Sequence, residues 1–265
     1  MRVFFGILVG VALTLGTLVL WTYWADSTDP TRSVPAPVPP PLPLPEVLDP
    51  RPPPIPRVVY LNREGAILTG GTDDSTQNVS SIVRDVEGER LEFPAFSSSL
   101  TRWRQIVDCV RDRFEPYDVT IVDQRPVERG YVMVMIGGRA MMLGEDHDHG
   151  HARIGGLAPY NGDMILDPVV MVFSTQLRNL AREVCEVAAQ EIAHAYGLDH
   201  TYDCRDLMTY RRRCGRRRWF VDEDMRCGEG EARDCHHTNF PTQNSHQRII
   251  RAVGARPEEA PEDEP

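Results

Sequence analysis

The chain has 265 residues, 41% of them hydrophobic, which is enough for one sizeable folded domain with appendages. Its formal net charge of −10 argues against general binding to nucleic acid, although residues 211–213 and 216–218 form a dense arginine run. We therefore expect no nucleic-acid partner.

The amino-terminal segment is apolar from residue 3 to residue 24 and is preceded by Arg2. That length suffices to cross a bilayer as a helix, and the charge places the amino end in the cytoplasm. Residues 1–25 are therefore predicted to be a signal anchor. The alternative is a signal peptide cleaved after Ala25, where bulky Tyr23 occupies a position that prefers a small residue. Both alternatives export the rest of the chain to the periplasm or exterior, and it meets the membrane only through a retained anchor.

Proline dominates the segment that follows, residues 26–56, which is predicted to be an extended polyproline II linker. A proline-rich ligand for the aromatic groove of a partner is the alternative. One folded domain is expected over residues 57–254. The tail, residues 255–265, is acidic and proline-rich and is predicted to be disordered.

Within the folded domain, apolar runs alternate with amphipathic stretches. Trp103, Ile106 and Val110 recur at helical spacing, whereas short apolar runs indicate strands. In chain order we predict a strand at 58–61, a polar loop at 70–81, a helix at 98–115, strands at 119–122 and 131–136, a turn at 155–159, a strand at 169–173, a helix from about 175 and a terminal helix at 242–254. Parallel strands joined by a crossover helix give a twisted mixed sheet backed by two long helices, so the predicted fold class is α+β.

The six cysteines lie outside the amino-terminal third and lack the Cys-x-x-Cys spacing of a zinc ribbon or redox site. Downstream of an export signal they predict three disulfides. Cys109 and Cys185 fall on the two predicted helices, and a bond between them would staple these helices together. The other favoured pairs are Cys204 with Cys214 and Cys227 with Cys235. Six cysteines allow fifteen pairings, so the sequence leaves the connectivity open.

Two stretches ahead of the second long helix carry candidate metal ligands. His147, His149 and His151 alternate with other residues, so in an extended segment they would face one way and could share an ion. A second, structural Zn²⁺ and a solvated polar loop are the two interpretations of this stretch. Asp73 and Asp74 are candidate Ca²⁺ ligands. A plain polar loop is favoured there, since oxygen ligands do not alternate at the proper spacing.

The most informative stretch runs from Gln190 to His200 and reads Gln-Glu-Ile-Ala-His-Ala-Tyr-Gly-Leu-Asp-His. On a helix Gln190 and His194 share a face, with Glu191 beside them. Gly197 permits a positive-φ turn that carries His200 back toward the same face. Two imidazoles and a carboxylate then converge on one point, which is the arrangement of a zinc hydrolase.

Together with Met208 in Asp-Leu-Met-Thr-Tyr, this stretch resembles the metzincin family of zinc peptidases, whose motif is His-Glu-x-x-His-x-x-Gly-x-x-His followed by a Met-turn. The resemblance covers most of residues 57–254 loosely and 188–210 specifically. It implies a catalytic domain like that of matrixins and astacins, with a twisted mixed sheet, two long helices, a Met-turn and a C-terminal helix. The substrate cleft would lie along one sheet edge. The departure is Gln190, a weak neutral ligand where the family has its first zinc-binding His.

The resemblance implies a catalytic Zn²⁺ held by His194 and His200, with Glu191 as general base. The side chain of Met208 would pack beneath the metal site. The remaining coordination would come from Gln190, from the 147–151 loop, or from a tyrosine. Tyr210 matches the Met-x-Tyr spacing of the astacin and serralysin branches, in which the tyrosine contacts zinc.

The predicted function is that of a zinc-dependent metalloendopeptidase, membrane-anchored or secreted, that hydrolyses peptide bonds in a protein or peptide substrate. The alternative is a catalytically impaired pseudo-peptidase that serves as a binding or scaffold domain, because a direct ligand has been lost. The arginine run after the Met-turn would flank the primed-side pocket and favour acidic substrates. A solvated basic face is the alternative interpretation of that run.

Overall fold

The computed structural model describes residues 55–85, 89–144, 154–211, 214, 217–236 and 240–257. These residues form strands and three α-helices in a mixed α+β arrangement, which confirms the predicted class. In chain order the elements are β1 Val58–Asn62, β2 Ala66–Gly70, β3 Val79–Ser80, β4 Arg90–Phe93, α1 Leu100–Phe114, β5 Thr120–Val122, β6 Tyr131–Gly137, β7 Gly156–Leu157, β8 Val169–Phe173, α2 Ala181–Ala195, β9 Met225–Arg226, β10 Thr242–Gln243 and α3 Ser245–Val253.

The main sheet has five strands in the order β5-β1-β6-β8-β7. Its first four strands run parallel, and β7 pairs antiparallel with β8, so the sheet is mixed as predicted. The central strands β6 and β8 are buried along their whole length. Parallel strands covered on both faces have this unbroken apolar character, which is why the sequence identified them.

The edge strand β7 corrects the turn predicted at 155–159. Gly156 pairs with Val172, and Leu157 pairs with Met171. A strand of two residues that contains a glycine has no alternating pattern. Its extended conformation depends on pairing with the neighbouring strand. The chain therefore presents an antiparallel sheet edge where the sequence indicated only a turn.

Side chains on the two faces of the main sheet enter two different cores. Val132, Val134 and Ile136 of β6 pack with α1 and α2, whereas Met133 and Met135 face the opposite side. That side is covered by a second sheet in the order β3-β2-β4. The polar loop predicted at 70–81 is therefore wrong in part, because its last residues include β3, which pairs parallel with β2.

The two long helices differ in how well the sequence located them. Helix α1 agrees with the predicted 98–115 and begins after Ser99, whose side chain accepts a hydrogen bond from Arg102 N–H at 3.2 Å. Helix α2 begins at Ala181 rather than near 175. Arg178 and Asn179 have φ values of 54° and 52°, and this left-handed conformation cannot continue a right-handed helix. The terminal helix predicted at 242–254 is α3, preceded by the short strand β10.

Three disulfides close the described domain, and their connectivity is the favoured one. Cys109–Cys185 joins α1 to α2, and none of the cysteines is free. Disulfides of this number fit an exported protein. No helix among the described residues is long and apolar enough to span a membrane. The predicted anchor at 1–25 and nearly all of the linker at 26–56 lie outside the described residues, as does most of the predicted disordered tail.

Candidate metal centre and cleft

A cleft of about 730 Å³ runs between the edge strand β7 and helix α2. Its walls include residues 155–158, one face of α2 and the segments that follow this helix. Five of the sequence-predicted site residues line it together: Gln190, Glu191, His194, His200 and Tyr210. The cleft thus lies along one sheet edge, where the sequence analysis expected a substrate to bind.

The end of α2 explains how its last turn and His200 come to the same place. Gly197 has a φ of 87°, which lets the chain leave the helix in a left-handed turn. A Cβ atom there would lie 2.8 Å from the carbonyl oxygen of Gly162, so only glycine fits. Leu198 N–H then bonds to Ala193 O at 3.0 Å, and this fixes the direction in which the chain turns back.

The two imidazoles face each other across the cleft. His194 Nε2 and His200 Nε2 lie 3.0 Å apart. The other ring nitrogen of each histidine contacts a group that can only accept a hydrogen bond. His194 Nδ1–H donates to the carbonyl oxygen of Leu198 at 2.7 Å, and His200 Nδ1–H donates to a carboxylate oxygen of Glu229 at 3.0 Å. In the neutral form of each ring the lone pair is therefore on Nε2, and the two Nε2 atoms point at one another.

This pair fits a divalent zinc ion by its donor chemistry and its spacing. Two unprotonated nitrogens that face each other repel unless a proton or a cation lies between them. Nitrogens about 2.0–2.1 Å from a shared tetrahedral zinc are separated by roughly 3.3 Å, close to the separation observed here. Burial, followed by the neighbouring His200, lowers the pKa of His194 to about 3, so this ring is neutral and available as a ligand.

Glu191 contributes a buried carboxylate to the cleft and is 7% exposed. Burial raises the pKa of Glu191 to about 8. Its side chain lies directly over β7, because a Cβ atom on Gly156 would be 2.6 Å from Glu191 Oε1. The glycine of the edge strand thus provides the space that this carboxylate occupies.

Gln190 makes two hydrogen bonds that the sequence did not predict. Its Nε2 donates to the carbonyl oxygens of Met208 at 3.3 Å and Thr209 at 3.4 Å. The amide nitrogen therefore faces the backbone of the predicted Met-turn, and the amide oxygen is the atom that could bind a cation. Position 190 connects helix α2 to the segment around Met208.

Met208 and Tyr210 lie in different surroundings. Met208 is fully buried, and its N–H donates to Asp206 Oδ1 at 2.7 Å. Tyr210 lines the cleft, is 43% exposed, and has its ring centroid 5.2 Å from that of His200. The structure therefore brings Tyr210 beside one of the paired imidazoles.

The other sequence-predicted metal sites have different outcomes. His147, His149 and His151 lie outside the described residues, so a second zinc site there stays a prediction. Asp74 Oδ1 accepts a hydrogen bond from Thr76 N–H at 2.9 Å within its own turn. Asp73 Oδ1 accepts one from Ser81 N–H at 3.3 Å, so both carboxylates serve the loop that carries them.

The arginine run contributes Arg218 to the cleft, but as half of an ion pair. Its Nη2 and Nε lie 2.8 and 3.0 Å from Glu186 Oε2, and its Nη1 donates to Thr209 O at 3.2 Å. Both side chains are largely buried. The charge of Arg218 is thus neutralised by a residue of α2, which the sequence analysis did not single out.

Sequence analysis also missed Glu229 and Arg233. The guanidinium of Arg233 bridges the carboxylates of Asp199 and Glu229, next to His200. Their one sequence signal is the spacing of an i,i+4 charge pair between Cys227 and Cys235.

Comparisons with known proteins supply no family for this geometry: no protein-family model matches the chain, and no curated protein matches it. The chemistry of the cleft is therefore argued from its own residues. Those residues are two paired imidazoles, a buried carboxylate with a raised pKa, an amide and an exposed phenol.

Proposed function

We propose that this chain is a zinc-dependent metalloendopeptidase with a metzincin-like catalytic domain. The observation that carries the proposal is the pair of Nε2 atoms 3.0 Å apart, each on a ring whose other nitrogen is committed to an acceptor. Metal-binding histidines characteristically make this second hydrogen bond, which fixes the tautomer and the ring orientation.

Several features of the fold support the metzincin-like part of the proposal. The motif helix α2 packs behind a mixed sheet, and the cleft lies between α2 and the antiparallel edge strand β7. The segment around buried Met208 contacts the chain just after His200, since Thr201 N–H donates to Met208 O at 3.1 Å. These are the relationships that the motif and the Met-turn imply for that family.

The residues of the cleft would divide the work of hydrolysis. His194 and His200 would hold the metal, with Gln190 Oε1 or the Tyr210 hydroxyl as further ligand. When bound, zinc supplies a Lewis acid that polarises a peptide carbonyl and acidifies water at the site. Glu191 would accept the proton that this water loses and would deliver it to the leaving amine.

The burial of Glu191 suits that role. A general base works best when its pKa is near the working pH, and burial raises the pKa of Glu191 to about 8. A zinc ion bound nearby would lower the pKa of Glu191 toward neutrality. An extended peptide fits an open cleft along a sheet edge, and an exported location makes extracytoplasmic proteins or peptides the substrate class.

A second candidate function is that of a pseudo-peptidase that binds proteins without cleaving them. The observation that favours it is the contact of Gln190 Nε2 with the carbonyls of Met208 and Thr209. This contact gives position 190 a structural role that requires no metal.

Hydrolysis by the Glu191→Ala variant decides between the two functions. If Glu191 is the base, the variant folds, keeps its zinc and loses cleavage of casein or a peptide library. Glu183→Ala is the matched control, because it removes a carboxylate from the same helix and the same cleft, and it should retain turnover. Equal residual hydrolysis by the parent and Glu191→Ala would point to a contaminating peptidase and would support the pseudo-peptidase.

A further inference from the structure

A loop closed by a disulfide packs against His200, the last histidine of the motif. We call residues 227–235 the clamp loop, since the Cys227–Cys235 bond closes it. Gly228 N–H donates to the carbonyl oxygen of His200 at 3.0 Å. Arg233 N–H donates to Cys227 O at 2.7 Å, which fixes the two arms of the loop against each other. The clamp loop is thus attached to the backbone of His200 itself.

One side chain of the clamp loop reaches the imidazole. Glu229 Oε1 accepts the hydrogen bond from His200 Nδ1 at 3.0 Å, on the side of the ring opposite to the paired Nε2 atoms. A carboxylate oxygen accepts this hydrogen bond, so the proton of the contact lies on His200 Nδ1. The neutral ring of His200 is therefore held as the Nδ1–H tautomer, with its Nε2 directed into the cleft.

Glu229 is in turn fixed by a guanidinium. Arg233 Nη2 contacts Glu229 Oε1, and Arg233 Nε lies 3.3 Å from Glu229 Oε2. The same guanidinium contacts both carboxylate oxygens of Asp199, at 2.7 and 3.0 Å. Asp199 also accepts the backbone N–H of His200 at 2.7 Å. Two carboxylates and one guanidinium leave one net negative charge beside this imidazole.

We propose that Glu229 is a positioning residue for His200, and that Arg233 and the clamp loop hold Glu229 where it can act. The inference rests on the proposed function, because it concerns the strength of His200 as a metal ligand. A carboxylate that accepts the far N–H of a ligating imidazole fixes its orientation and raises its basicity. In this chain the increased basicity of His200 compensates for the weak metal binding of Gln190.

A purely structural role for Glu229 predicts a different pattern of effects. Its side chain is 38% exposed, and ion pairs in such surroundings contribute little to stability. Loss of the carboxylate should then shift Tm by no more than about 4 °C. A positioning role instead predicts a loss of metal affinity of about 10- to 100-fold, the usual effect of removing such a partner.

Zinc titration of the full-length protein against a competing chelator tests the proposal, with Glu229→Ala and Glu229→Gln compared with the parent. We expect about 10- to 100-fold weaker zinc binding in Glu229→Ala. The loss should be smaller in Glu229→Gln, because its amide oxygen still accepts the Nδ1–H bond and its shape keeps the loop folded. Glu231→Ala removes an exposed carboxylate from the same loop and should bind zinc as the parent does.

The ring nitrogen chemical shifts of metal-free His200 provide a readout that stability alone would not move. They should report the Nδ1–H tautomer in the parent and in Glu229→Gln, and a mixture of tautomers in Glu229→Ala. If Glu229→Ala binds zinc as tightly as the parent and His200 keeps the same tautomer, this inference is overturned and the proposed function stands. A parent protein that binds no zinc would overturn both.

Discussion

Replacing Gln190 with histidine separates the two roles of this position. In the parent, Gln190 Nε2 donates to Met208 O at 3.3 Å and Thr209 O at 3.4 Å. Gln190→His removes both hydrogen bonds and adds a third imidazole on the helical face that carries His194. We therefore expect opposite effects on the metal-free and the zinc-bound protein.

The magnitudes follow from these contacts. A hydrogen bond between neutral groups contributes about 0.5–1.5 kcal/mol, so the unfolding free energy of the metal-free variant should fall by about 1–3 kcal/mol. A structural zinc site with four protein ligands is worth about 10–16 kcal/mol, or roughly 3 kcal/mol for each ligand. An imidazole in place of a weak amide ligand should therefore tighten zinc binding by roughly 100-fold.

Urea denaturation in EDTA and in excess zinc measures both effects on one variant, and a zinc titration gives the affinity directly. Gln190→Ala is the control, because it loses the same hydrogen bonds without gaining a ligand. It should be as destabilised in EDTA as Gln190→His and bind zinc no more tightly than the parent. Zinc affinity of Gln190→His equal to that of the parent would refute the proposed ligand geometry around His194.

Three further predictions concern the disulfide between the helices, a buried carboxyl and the edge strand. Replacing Cys109 and Cys185 with serine should lower the unfolding free energy in urea by about 4 kcal/mol, because this bond spans 76 residues. The loss should be larger than that caused by removing either of the other two disulfides, which close shorter loops. Burial raises the pKa of Asp206 to about 6, above its unfolded value of about 3.9. The protonated carboxyl is thus favoured in the fold, and its stabilisation is present below pH 4 and lost as the pH rises through 6. Between pH 7 and pH 4 the unfolding free energy of the parent in urea should rise by about 2 kcal/mol relative to that of Asp206→Asn, and equal pH profiles would contradict this. Gly156→Ala should reduce peptide hydrolysis, since the added methyl would lie 2.6 Å from Glu191 Oε1 and 2.8 Å from the carbonyl oxygen of Met171, and would displace the carboxylate and the edge strand. Zinc content should be unchanged, because neither contact involves a proposed ligand. A loss of zinc from Gly156→Ala would contradict this prediction.

The parts of the fold that could be predicted from the sequence are those whose pattern is local. Strands β6 and β8 are unbroken apolar runs because both of their faces are buried. Helix α1 shows a buried face at helical period and a serine cap. The convergence of His194 and His200 also has a local cause, because helical spacing and the turn at Gly197 determine it.

The elements that escaped prediction depend on distant partners or on single backbone angles. Strand β7 exists because β8 lies beside it, and its two residues carry no periodicity of their own. Helix α2 begins late because Arg178 and Asn179 adopt left-handed angles, and apolar spacing does not encode that break. Glu229 lies 29 residues from His200 in the chain, so only the folded clamp loop brings them together.

The zinc content of the purified full-length protein tests the central claim most directly, namely that His194 and His200 share one metal ion. Parent, His194→Ala and His200→Ala proteins would be dialysed against micromolar zinc and analysed for metal. His246→Ala is the control, since this histidine contacts the Tyr117 hydroxyl at 2.9 Å and lies outside the cleft. We predict that each of the two motif variants holds one zinc fewer per chain than the parent, and that the control holds as much as the parent. Equal zinc content in the parent and in both motif variants would contradict the claim.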